Sequence, residues 1–119
     1  MKFGLTENTI KQINSVFEEF PQVEEVVIYG SRAKGNYRPG SDLDFTFKGK
    51  NLNHYILNSI GLELDKLFLP YILDISDFNK ISNRDFIEHI NRVGKIFYAR
   101  ESERLTKVEN SSGLYANRH

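Results

Sequence analysis

The residues able to do chemistry crowd into one stretch, YGSRAKGNYRPGSDLDF, which runs from Tyr29 to Phe45. A strand that ends in Gly30-Ser31 and opens a short helix points backbone amides and a hydroxyl at one spot, which suits a phosphate. Gly30 lets the backbone approach closely because it has no side chain. Arg32, Lys34 and Arg38 add positive charge near that spot. Taken alone, Gly-Ser is a common turn. The stretch gains meaning from Asp42-Leu43-Asp44, because residues two apart on a strand share a face and stand their carboxylates side by side, while Leu43 turns into the core. Two close carboxylates repel, and a hard cation relieves the repulsion. Mg²⁺ takes oxygen ligands, commonly keeps some waters and recruits substrate phosphates to complete its octahedron, so the arrangement expects a nucleotide. Two such ions roughly 3.5–4 Å apart can stabilise both the attacking and the leaving oxygen of an in-line displacement at phosphorus.

A third carboxylate, Asp74, lies in Leu73-Asp74-Ile75 inside an otherwise apolar strand, where an unpaired buried charge is costly and calls for a partner. Asp77 is the rival acid, but its odd spacing from Asp74 turns it to the opposite face if the strand continues.

The flanking chain supplies elements that can position these residues. Residues 6–20 place Ile10, Ile13, Val16, Phe17 and Phe20 at helical spacing, with Thr6 as the cap and Pro21 as the stop. Residues 23–29 read as a buried strand running into Gly30, and 42–47 as a strand with one face in the core. Residues 51–69 read as a helix, weakened at Gly61 by roughly 1 kcal/mol relative to Ala, and residues 71–76 alternate as a third strand. Ser82, followed three residues on by Asp85, resembles a capping box before the stripe Phe86, Ile87, Ile90 and Val93, which Gly94 stops. Residues 95–100 return as a short strand, and 101–119 form a polar segment without a clear period, read as a tail or a partner contact. The expected division is therefore one domain over residues 1–100 and a C-terminal segment over 101–119.

At 119 residues the chain fits a single core. Its 39% hydrophobic and 27% charged residues are ordinary for a globular protein, and sixteen acidic residues balance sixteen basic ones. No overall field favours nucleic acid, so attraction for phosphate must be local and no direct nucleic-acid binding is expected. Cysteine is absent and the three histidines are scattered, so a metal site must be built from carboxylates. The N-terminal residues lack a signal-peptide apolar region and no apolar run approaches the roughly 20 residues that span a bilayer, so a cytoplasmic location is the expectation.

Gly30-Ser31, ten intervening residues and Asp42-x-Asp44 resemble the signature of the polymerase-beta-like nucleotidyltransferase superfamily, and in particular its minimal nucleotidyltransferase (MNT) members. The resemblance runs from about Val23 to Tyr98. It implies an α/β (α+β) fold, a small mixed β-sheet with helices packed mainly on one face and the site on the open face. It also implies that Gly30 and Ser31, with Arg32 beside them, bind the nucleotide phosphates, that Asp42, Asp44 and Asp74 are catalytic and bind metal, and that Mg²⁺ and ATP are the cofactor and substrate. A domain this small has little room for an acceptor pocket. MNT proteins of this kind resemble the antitoxins of HEPN/MNT toxin–antitoxin pairs, so the implied partner is a HEPN-type ribonuclease toxin whose tyrosine oxygen attacks the α-phosphorus of ATP and expels pyrophosphate. Two other readings stay open: a non-catalytic nucleotide-binding antitoxin that occludes its partner, and transfer to a small molecule. The identity of the nucleotide and the oligomeric state are open too, and a homo-oligomer is compatible with the sequence.

Overall fold

The computed structural model describes residues 1–100, and the expected tail over 101–119 lies outside the described residues. Helix α1 spans Glu7–Glu18, and Thr6 caps it by accepting from the Thr9 amide at 3.1 Å. Strand β1, Glu25–Tyr29, is buried at all five positions. The chain then turns at Gly30 into the five-residue helix α2, Gly30–Lys34, which ends at Gly35 in the left-handed region. Strand β2 covers Leu43–Lys48. Helix α3, His54–Asp65, is capped by the Asn53 side chain and runs through Gly61 without a break. Strand β3, Leu73–Asp77, leads into a 3₁₀ turn, Phe78–Lys80, and helix α4, Arg84–Val93, leads into strand β4, Lys95–Ala99. The cap of α4 is Asn83 and not Ser82: Asn83 accepts from the Phe86 amide at 3.0 Å, filling the role the sequence pattern gave to its neighbour.

The sheet order is β3-β2-β1-β4. Strand β1 pairs antiparallel with β2 and β4, whereas β2 and β3 are parallel and joined by the α3 crossover. The period-two alternation divides the sheet into two faces. Val26, Ile28, Leu43, Phe45 and Phe47 meet Ile13, Val16 and Phe17 of α1 and Ile60 and Leu64 of α3 in the main core. There Phe17 meets the rings of Phe45 and Phe47 edge-on at 5.8 and 5.3 Å, the arrangement the ring quadrupoles favour. Helix α4 packs on the other face, where Ile90 joins Val27 and Tyr29, with Phe86 and Val93 around them. The expected one-sided packing thus holds for the two longer helices, and α4 shares the face that carries the acids. At the end of β4, Arg100 donates to the carbonyls of Val23 and Phe20 at 2.9 and 2.8 Å and to that of Phe17 at 3.4 Å, supplying the cation that the last turn of α1 lacks.

Candidate nucleotide and metal site

Register builds the site. Tyr29 stands opposite Asp44 in the antiparallel β1–β2 pair, and Asp44 stands beside Asp74 in the parallel β2–β3 pair, so Tyr29, Asp44 and Asp74 form one row across three strands. The next row on that face is Val27, Thr46 and Ser76, where the Ser76 hydroxyl donates to Thr46 Oγ1 at 3.0 Å. Asp42 immediately precedes β2 and is exposed.

Gly30 is required here for two separate reasons. Its φ of 73° lies in the left-handed region, and a Cβ added to it would collide with Asp44 Oδ2. The missing side chain lets the β1–α2 turn lie directly against the carboxylate of Asp44. Ser31, the next residue, is half-buried at the start of α2. The turn and the acids predicted from sequence are therefore brought together.

Asp44 is half-buried, and its carboxyl is held above its ordinary value first by that burial, then by the charges of Asp74 and Asp42, with His89 acting in the opposite direction. The acids thus crowd negative charge around Asp44, and the His89 imidazole moderates it. Tyr29 is affected more strongly. Burial, then Asp74 and Asp44, push its phenol up to about 12 against the pull of a Ser76 hydrogen bond, so at neutral pH it is a proton donor beside the carboxylates. Its ring meets Phe86 and His89 of α4 edge-on at 5.4 and 6.3 Å.

Two expectations change. Asp74 is exposed on an edge strand, so burial does not force a partner on it; the desolvated acid of the row is Asp44. Arg32, expected beside the nucleotide phosphates, turns its side chain inward. Its guanidinium is only 2% exposed and donates to the backbone carbonyls of Ser41, Phe3 and Pro39 at 3.0, 2.8 and 3.1 Å. Consecutive residues of a helix diverge by about 100°, so Ser31 and Arg32 cannot both face one anion. Lys34 and Arg38 remain exposed. Asp77, the rival acid, lies on the opposite face as its odd spacing predicted, and its carboxylate accepts from the Asn79 amide at 3.0 Å.

Sequence reasoning missed Tyr29, Thr46, Ser76 and His89. The first three share the period-two face of Asp44 and Asp74, and His89 follows Phe86 by three residues on the inner side of α4, so each was within reach of the spacing rules. Among the described residues, no group of three or more His, Cys, Asp or Glu side chains stands ready to hold a metal ion. The donor chemistry nevertheless fits one. Hard carboxylate oxygens repel one another across adjacent strands, and a divalent cation would relieve that repulsion and favour the ionised form of Asp44.

A family model described as polymerase beta, nucleotidyltransferase matches residues 11–103. No curated protein matches the chain. Among solved structures, a chain of a toxin–antitoxin complex with AMP-PNP is similar at a TM-score of 0.63 and 16% identity, over 92% of this chain and 91% of that one. A complex of tri-AMPylated Shewanella oneidensis HEPN toxin with MNT antitoxin gives 0.59 at 14% identity, over 96% and 92%. An MntA–HepT toxin–antitoxin complex gives 0.58 at 14% identity, over 95% and 92%. At these identities the likeness is one of fold.

Proposed function

The chain belongs to the polymerase beta nucleotidyltransferase family, and on that premise we propose that it is a magnesium-dependent antitoxin that transfers AMP from ATP to a tyrosine hydroxyl of a HEPN-type ribonuclease toxin. The observation that carries this reading is the Asp44–Asp74 pair with the Gly30 turn lying against it. The choice of partner and nucleotide is supported by the likeness in fold to chains of toxin–antitoxin complexes, one with AMP-PNP and one with an AMPylated toxin. The absence of a described helix long and apolar enough to cross a membrane agrees with a cytoplasmic setting, which is part of the proposal.

In this reading the Gly30 turn and the Ser31 hydroxyl bind the phosphates. Asp42, Asp44 and Asp74 would hold the magnesium, whose chemistry when bound is to neutralise the phosphates and the oxygens exchanged at phosphorus. The acceptor oxygen forms a bond to the α-phosphorus, the bond to pyrophosphate breaks, and Asp74, exposed at the sheet edge, takes the hydroxyl proton. Tyr29 keeps its proton throughout and braces the row by packing on α4.

Intact-mass spectrometry of the ribonuclease tests this directly. With ATP and Mg²⁺ the partner gains the mass of one or more AMP groups and stays inactive after this protein is removed, and Asp74→Asn prevents the gain while association persists. A partner that is fully inhibited yet unmodified, and that regains activity on separation, would replace transfer by occlusion.

A further inference from the structure

We infer that Arg32 is a positioning residue that sets Asp42 and the approach to Asp74 against the Ser31 turn. What those acids do rests on the nucleotidyltransferase reading above; what Arg32 holds does not.

The argument starts from a cost. A guanidinium removed from water is destabilising unless its donors are satisfied, and Arg32 is 2% exposed. It is satisfied by main-chain oxygens drawn from separate parts of the chain. Nε donates to Ser41 at 3.0 Å, Nη1 to Phe3 at 2.8 Å and Nη2 to Pro39 at 3.1 Å. The Ser41 carbonyl lies in the same rigid peptide plane as the amide nitrogen of Asp42, so fixing that oxygen fixes the plane from which Asp42 hangs. Tyr71 covers the guanidinium at 4.6 Å and Tyr37 lies 5.3 Å away. Tyr71 precedes Asp74 by three residues, at the entry to β3. One side chain therefore ties together the helix bearing Ser31, the peptide bearing Asp42 and the run-in to Asp74.

The surroundings are shaped to receive it. Residues 34–40 are exposed, and among the described residues nothing lies within 4 Å of where a Cβ would stand at Gly35 or Gly40, so core packing does not place this loop. Its fixed end is the turn in which Ser41 donates its amide to the Arg38 carbonyl at 2.9 Å and accepts the Arg38 amide on its hydroxyl at 2.8 Å. Arg32 fastens that turn from below. The N-terminal turn is bent to deliver the Phe3 carbonyl, with positive φ at Phe3 and Gly4, and a Cβ at Gly4 would collide with the Tyr37 ring and come within 2.8 Å of Arg32 Nη1. A side chain that binds phosphate must turn its donors toward the anion, whereas all three nitrogens of Arg32 donate to main-chain carbonyls. Arg32 has a planar fork buried among carbonyls and rings, which a lysine cannot reproduce with one ammonium.

Lysine substitution separates the two roles, because Arg32→Lys keeps the charge and loses the fork. In the ligand-free full chain, hydrogen exchange of Arg32→Lys should quicken at residues 36–42 while β1 and β2 stay protected; unchanged exchange at 36–42 would overturn the inference whatever the protein catalyses. Mn²⁺ binding then tests the link to Asp42 through a double-mutant cycle. Arg32→Lys should weaken Mn²⁺ about tenfold or more when Asp42 is present and less than about twofold in an Asp42→Asn background, since a misplaced ligand costs affinity only where that ligand exists. Equal losses in both backgrounds would mean that Arg32 merely supports the fold, and that result too would overturn the inference. Should Arg32→Lys fail to fold, Tyr71→Leu, which leaves the guanidinium but removes its covering ring, carries the same two measurements. A wild-type chain that binds no Mn²⁺ and transfers no AMP would sink the functional reading, and the exchange data would still decide the clamp.

Discussion

Replacing Gly30 by alanine strikes the site at the point where backbone and carboxylate meet. Two penalties add. Holding a non-glycine residue at φ 73° costs about 1–2 kcal/mol, and the new methyl group collides with Asp44 Oδ2, so that carboxylate must retreat by about 1 Å to restore ordinary contact. The backbone term alone lowers the melting temperature of a domain of about 100 residues by roughly 4–15 °C. The displacement acts on chemistry more than on stability, because a misplacement of about 1 Å at a reacting centre can cost on the order of 10²-fold in rate. Gly30→Ala should therefore melt at least roughly 4–15 °C earlier, remain folded at 25 °C, and transfer AMP at about a hundredth of the parent rate. Differential scanning calorimetry and a radiolabelled transfer assay measure the two effects separately. A Gly30→Ala chain that melts and transfers like the parent would show that the turn and Asp44 are not in register, and the site built on that register would fall with it.

Gly61→Ala is the complementary case: among the described residues a Cβ there meets only Ile75 Cδ1, at 3.5 Å, in a helix interior, so chemical denaturation should show a gain of up to about 1 kcal/mol with transfer unaffected. Asp44→Asn should abolish transfer and, in the metal-free chain, raise the melting temperature at neutral pH. Because the Asp44 carboxyl is raised in the folded state, ionising it disfavours folding; the parent's handicap is absent below the ordinary value of 3.8 and grows as pH rises through the shifted one, so the two melting curves should converge in acid. Tyr29 should ionise near 12, with the tyrosine missing from the alkaline absorbance titration of Tyr29→Phe being a late-titrating one. The stability contributed by its protonated form is present below the ordinary value of 10.0 and lost as pH rises through about 12.

The motif region was legible because its logic is local. Gly30 follows a strand, Asp42 and Asp44 differ by two, and neither fact depends on distant chain. The alignment of Asp44 with Asp74 depends on how the α3 crossover seats β3 beside β2, and no residue spacing encodes that register. The position of α4 carried a readable signal: β1 is apolar on both sides, so both faces of the sheet needed cover, and the Phe86, Ile90 and Val93 stripe was available to supply it. Arg32 was misread for a different reason. Composition near a phosphate site favours counting every cation as a ligand, whereas helix geometry sends the neighbour of Ser31 inward.

The anchoring of Arg100 has a consequence for the order in which the molecule can be completed. Its partners, Val23 and Phe20, precede it by 77 and 80 positions, and β1 lies between β2 and a strand synthesised about 65 residues after β1 ends. Until β4 arrives, one edge of the most buried strand lacks its neighbour, and the carbonyls after α1 lack the cation that gathers them. Closure therefore depends on contacts of very high sequence separation, a topology that slows folding and leaves a nascent chain exposed on the ribosome. A chain cut at Gly94 would keep every residue of the candidate site yet lose Phe97 and Tyr98 from the main core and present an open sheet edge, which makes β4 a checkpoint for folding and solubility before it is one for chemistry.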